Sequence, residues 1–175
     1  PAPHVILGVE GLYPEEEHGI VPPTAHGLSY MSITYYSVDE PTPLRGEDVS
    51  NAIIELLAIT RWGELDYLIV DMPPGIGDAT LDTLRLIPRI EFIVATTPSR
   101  VAFQSVRRLL VLLKDLGVPI IGVVENMVMK PNAYIREEVS KLGLKYMGSV
   151  EYDEGVEEAI GDPDALRRTR FYEEL

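Results

Sequence analysis

Apolar positions along the chain change their period several times, and each change marks an element. From 47 to 62, "EDVSNAIIELLAITRW" sets Val49, Ile53, Leu56, Leu57 and Thr60 at helical spacing with acid in the first turn, which predicts a helix. "LDYLIVDM", from 65 to 72, is a near-continuous apolar run, the pattern of a parallel strand covered on both faces. "DATLDTLRLI" then predicts a helix stopped by Pro88, and "EFIVATTP" a strand. "SRVAFQSVRRLLVLLKDLG" has the stripe of an amphipathic helix ended by Gly117. After it come a strand in "VPIIGVVENM", a helix in "NAYIREEVSKLG", a short strand in "LKYMGSVEY" and a short helix in "EGVEEAI". Upstream, "PAPHVILGVEGLYPEEEHGIVPPTAHG" reads as irregular, "LSYMSITYY" as a strand rich in aromatic and β-branched residues, and "SVDEPTPLRG" as a turn-rich loop. Strand and helix alternate over most of the chain. The pattern predicts an α/β fold, a mostly parallel sheet flanked by helices on both faces, in a single domain without internal repeats.

Composition narrows the function classes. With 46% hydrophobic and 25% charged residues, 175 residues suffice for a real core. No apolar run is long enough to span a bilayer, and no basic-plus-apolar leader opens the sequence, so a soluble, cytoplasmic protein without stable membrane insertion is expected. The absence of cysteine excludes disulfides, thiolate metal sites and a cysteine nucleophile from these residues. A formal net charge of −13 argues against broad contact with nucleic acid or anionic lipid. His4, His18 and His26 lie in the irregular leader without tight ligand spacing, and Glu15, Glu16 and Glu17 form a solvated face. No serine has a nucleophile-elbow context and no HExxH occurs.

Chemistry in an open α/β sheet sits beyond the carboxyl ends of its strands. Three such ends are polar here: Asp71 with its Pro-Pro-Gly turn, Thr96-Thr97-Pro98-Ser99, and Glu125-Asn126. Asp71 follows Leu68-Ile69-Val70, the placement of a carboxylate that holds Mg²⁺ through water, although a strand-end aspartate is also a common turn former. Pro73 and Pro74 stiffen the turn, while Gly75 and Gly77 let backbone amides approach an anion. Asp78 is placed to cap the following helix, with Asp82 one turn further in. Asn126 is a ligand contact or a turn residue; Thr96, Thr97 and Ser99 are expected to cap the next helix, and Met127 and Met129 to be core.

"LDYLIVDMPPGIGD" followed by "ATTPSRVAFQSVRRLLVLLKDLGVPIIGVVENM" resembles the Mrp/ApbC branch of the MinD/ParA superfamily of P-loop ATPases, and the resemblance runs from His26 to Met127. "HVILG", "VPPTAHG", "YYSVDEPTPLRG" and "LLAITRW" look most like the archaeal Mrp/MinD-type ATPases of nickel–iron hydrogenase maturation. The resemblance implies a P-loop fold that binds ATP or ADP with Mg²⁺ as a homodimer. It also implies a metallochaperone or apo-metalloprotein partner, and no nucleic acid. By the same resemblance Asp71 is the aspartate that orders Mg²⁺, and Pro73, Pro74, Gly75 and Asp78 form the switch that senses the γ-phosphate. Asn126 would bond adenine, and the loop from Val150 to Asp153 would close over the base, although Glu151 stands where the family usually has proline. Arg45 and Gly46 match a family Arg-Gly pair placed near the nucleotide or the dimer face.

Two features depart from the family. Its iron–sulfur carriers usually place a CxxC after the ENM segment; here "MVMKPNAYIREEV" follows, which favours nickel handling over cluster carriage. The phosphate loop GxxxxGK[ST] occurs nowhere, and in the family that loop, with strands flanking the Asp71 strand, precedes the point matching Pro1. The residues are therefore expected to be the C-terminal portion of a MinD-like nucleotide-binding domain in a larger polypeptide, with little ATP hydrolysis of their own. Three functions remain in view: an ATPase of metal-cofactor assembly for nickel or for an iron–sulfur cluster, a MinD-like positioning ATPase, and a non-enzymatic interaction module. The short, acidic ending "DALRRTRFYEEL" counts against the second, which usually needs a basic amphipathic tail.

Overall fold

The computed structural model describes residues 3–9, 11–32, 35, 46–73 and 75–175. They form two compact units, Pro1–Pro88 and Arg89–Leu175. In the first, a short helix α1 (Pro3–Ile6) precedes two small antiparallel hairpins, β1 (Glu15–Glu16) with β2 (Ile20–Val21) and β3 (Thr24–Ala25) with β4 (Leu28–Ser29). The β3–β4 loop is His26-Gly27, both at positive φ (52° and 78°), the backbone that a two-residue hairpin turn requires. The sequence pattern had suggested irregular structure here and a strand over 28–36. Only Leu28 and Ser29 pair, while 33, 34 and 36 lie outside the described residues. Gly19 (φ 129°) turns the first hairpin so closely that an added Cβ would stand 2.8 Å from the Ile59 carbonyl oxygen. The hairpin is tied at that point by Arg61, whose amide donates to Ile20 O at 2.7 Å and whose guanidinium lies 2.9 Å from the Glu17 carboxylate.

Helix α2 (Gly46–Ile59) forms where the periodicity places it, and α3 (Asp78–Leu86) follows the Asp71 turn. They pack together, with the Ser50 hydroxyl donating to the Asp82 carboxylate. The strand expected over 65–72 does not form. Its residues pair with no strand among those described, and Tyr67 and Ile69 are 85% and 87% exposed. The apolar pattern is that of a central strand, but a strand needs neighbours for its backbone groups, and none of the described strands supplies one.

The second unit follows the expected alternation. Strands β5 (Phe92–Thr96), β6 (Ile120–Val128) and β7 (Tyr146–Glu151) form a parallel sheet in that order, with α4 (Arg100–Asp115) and α5 (Tyr134–Lys141) as the crossovers. Ser99, not Thr96 or Thr97, caps α4: its hydroxyl accepts from the Ala102 amide, while the Thr96 hydroxyl donates to the Thr97 carbonyl. Gly117 (φ 69°) closes the helix as expected, with Val118 N reaching back to Leu113 O at 2.8 Å. Phe103, Leu110 and Leu113 of α4, Ile135 and Val139 of α5 and Val123 of β6 are fully buried and make the core. Gly122 is held to glycine by β7, since a Cβ there would lie 2.9 Å from the Lys145 carbonyl and closer still to Met147. Met127 and Met129 are exposed rather than core.

After β7 come three single-turn helices, α6 (Gly155–Glu158), α7 (Pro163–Leu166) and α8 (Arg170–Glu173). The last two went unpredicted although their signals are present. Asp162 accepts from the amides of Asp164 and Ala165 ahead of Pro163, and the Thr169 hydroxyl accepts from Tyr172 N. No helix among the described residues is long and apolar enough to cross a membrane.

Candidate functional site

In the first unit the candidate site is the turn between the 65–72 run and α3. Asp71 and Pro73 are exposed, and Asp71 has no hydrogen bond or ion pair to any described residue. Gly75 adopts φ 91°, a conformation that favours glycine, and no atom lies within 4 Å of a Cβ built on Gly75 or Gly77. The buried Thr80 donates its hydroxyl to Gly75 O at 3.4 Å, anchoring the turn to the first turn of α3. Asp78 is the first residue of α3 rather than its cap. Gly77 holds the N-cap position, so Asp78 acts on the helix through charge near its N-terminus. A free carboxylate on a stiff turn with open space beside its glycines fits a hydrated Mg²⁺ and a phosphate; Asp71 would hold the metal through water, and the metal would supply charge neutralisation. Among the described residues no group of three or more His, Cys, Asp or Glu forms a direct metal cage. Arg45 and Pro74 lie outside the described residues, and Gly46 opens α2.

The second unit carries Asn126 at the carboxyl end of β6. The register to β7 shifts there: Glu125 pairs with Ser149 and Val128 with Glu151, so Asn126 and Met127 together face one residue, Val150. That is a β-bulge. Met127 takes φ 61°, and the Asn126 Oδ1 accepts from its amide at 2.8 Å. The Asn126 carboxamide nitrogen has no partner among the described residues, and Oδ1 keeps a second lone pair, so the side chain is still able to read a base edge. Sequence reasoning noted Glu125 only as a polar strand end. It is in fact 2% exposed, with Oε2 accepting from the Tyr146 hydroxyl at 2.8 Å.

Asp153 does something other than face outward. Its Oδ1 accepts from Gly155 N at 2.9 Å and its Oδ2 from Phe171 N at 3.1 Å, which clips α8 to the end of β7. These bonds, the one from Phe171 foremost, hold its carboxyl below the ordinary value of 3.8. Around the clip, Arg170 lies 2.6 Å from Glu151, and Glu151 N donates to Glu174 at 2.7 Å, a bond the family's proline would not make. A depressed carboxyl stabilises the fold above its unfolded value, and that contribution is lost as pH falls through the folded one. Hydrogen exchange at the Phe171 amide is therefore expected to lose protection as pH drops below about 4, while Asp153→Asn shows little pH dependence; equal profiles would refute the clip.

Parallel strands joined by helical crossovers define an α/β protein, in which polar residues at the strands' carboxyl ends mark where a ligand would sit. Comparison with known proteins agrees and goes further. The chain belongs to the ParA family, whose model, described as the NUBPL iron-transfer P-loop NTPase, matches residues 1–160. It is 42% identical over 127 residues to an iron–sulfur cluster carrier protein of Methanococcus maripaludis, covering 70% of this chain and 44% of that protein. It is 37% identical to a carrier of the same name from Methanocaldococcus jannaschii, covering 97% of this chain and 65% of that one. The chain thus spans between about half and two thirds of the length of these relatives. Its fold is also that of a nucleotide-binding protein of Archaeoglobus fulgidus, described in complex with ADP and with cobalt found, at TM-score 0.75 and 21% identity, over 96% of this chain and 71% of that one.

Proposed function

We propose that these residues are the C-terminal portion of the nucleotide-binding domain of an ATPase that carries a metal cofactor, and that the cofactor is an iron–sulfur cluster. The carrying observation is the family match together with relatives named iron–sulfur cluster carriers at 42% and 37% identity. The same finding moves the reading away from nickel insertion for hydrogenase maturation, which the resemblance of individual segments had favoured.

ATP would bind with Mg²⁺ ordered by Asp71, and with the segment of Pro73, Pro74, Gly75 and Asp78 responding to the γ-phosphate. The exposed, unbonded Asp71 carboxylate and the open space at Gly75 support this assignment. Asn126 would bond adenine through its carboxamide. Asp153 would act by shaping the 150–153 loop, since both its oxygens are taken. Arg45 and Gly46 are assigned to the nucleotide or dimer face, and nucleotide-driven closure of a homodimer would couple ATP to transfer of cargo to an apo-metalloprotein. The chain has no cysteine, so thiolates for a cluster would come from beyond these residues.

The experiment is anaerobic reconstitution of the protein from its complete reading frame with iron and sulfide, with nickel titrated in parallel. Retained iron and sulfide with visible charge-transfer absorption, passed to an apo-ferredoxin, is the expected result. Stoichiometric nickel binding with no retained iron would sink the cluster reading.

A further inference from the structure

A strained bulge beside a candidate base-reading residue calls for something that holds it. Met127 is not a glycine, yet it sits at φ 61° in β6, and such a conformation persists where the surroundings over-determine it. On one side the Asn126 side chain caps the Met127 amide at 2.8 Å, and beyond it Tyr152 N donates to Val128 O at 3.1 Å. On the other side stands Glu125, the last β6 residue in register before the bulge. Adjacent residues of a strand point to opposite faces, so Glu125 is directed inward where Asn126 is not. Tyr146, on β7 opposite Val123, donates its hydroxyl to Glu125 Oε2, and the Arg136 guanidinium lies 5.0 Å from the Tyr146 ring centroid. Burial, followed by the bond to Glu125, raises the Tyr146 hydroxyl above its usual range, so it stays a donor at neutral pH.

Glu125 Oε1 is also buried and has no hydrogen-bond partner among the described residues. A carboxyl group with one oxygen unsatisfied is a poor core filler, since an apolar residue would occupy the place without that cost. Its presence calls for a role in geometry rather than in stability.

We propose that Glu125 and Tyr146 are a positioning pair that fixes the Asn126–Met127 bulge and thereby the aim of the Asn126 carboxamide at the base. The inference rests on Asn126 as the adenine contact and deepens it by naming what sets base selectivity. Asparagine discriminates adenine by bonding a donor and an acceptor on the base edge together, so a small swing of the amide weakens one bond and the preference with it.

The test is the ratio of ATP to GTP affinity in the protein from its complete reading frame, with thermal melting alongside. Asn126→Ala is expected to lower the ratio by about tenfold. Tyr146→Phe and Glu125→Gln are each expected to lower it roughly threefold or more, and the double variant no further than the single ones, because the two act as a unit. Leu110→Ala, which loosens the core at α4, a helix packed on β5 rather than on β7, is expected to leave the ratio unchanged. If Asn126→Ala leaves the ratio intact, the adenine contact fails and this inference with it. If Asn126→Ala lowers it but Tyr146→Phe and Glu125→Gln only lower the melting temperature, the pair is structural and the positioning role alone is overturned. Should Glu125→Gln fail to fold, Tyr146→Phe, which removes a single hydroxyl, decides the matter.

Discussion

Replacing Asp71 by alanine is expected to lower Mg²⁺-dependent ATP turnover of the complete protein by about 100-fold or more, the scale of losing one well-placed electrostatic group. The structure makes the variant unusually easy to interpret. The Asp71 carboxylate is exposed and bonded to no described residue, so its removal should change folding stability by no more than about 0.5 kcal/mol. A fall in rate with an unshifted melting temperature would then be functional in origin. Asp78→Ala serves as the comparison, because Asp78 also contributes to α3 through its place in the first turn, at about 0.3–1 kcal/mol. Phosphate release measured across a Mg²⁺ titration gives the answer, and a rate equal to that of the natural sequence removes Asp71 from the mechanism.

The largest effect on stability should come from Phe103→Ala, at about 3–5 kcal/mol. Phe103 is fully buried in α4 and meets Tyr134 of α5 edge to face at 6.1 Å, while Arg100 lies 4.8 Å from the same tyrosine ring. Truncation removes the ring from the sheet–helix core and unseats the contact between the two crossover helices, which cannot collapse into the gap without moving. Against a typical total of about 5–15 kcal/mol, such a loss would lower the urea midpoint of unfolding sharply. A midpoint within error of the natural chain would mean that α4 does not pack as described.

How far the sequence led depended on whether the determining contacts were local. Strands β5, β6 and β7 and helices α4 and α5 were all legible, because period, the Ser99 cap and Gly117 act within a few residues. The 65–72 run was legible as apolar but not as paired, since a ladder depends on a second strand that no local pattern supplies. The hairpin at His26-Gly27 was missed because its strands pair over only two residues each, too few to show an alternating period. Short α7 and α8 carried caps but too few residues for a period. Within the candidate site, Asp71 and Asn126 stood out by residue type and position. Glu125 did not, because its meaning depends on Tyr146, which lies 21 residues further along.

The bare apolar stretch at Tyr67–Val70 has a practical consequence for anyone who handles this polypeptide by itself. An exposed apolar stretch of strand-like sequence invites a second molecule to dock on it. Self-association that grows with concentration and ignores ATP would then report a sticky apolar stretch, and only nucleotide-gated pairing of the protein from its complete reading frame would speak to how it works.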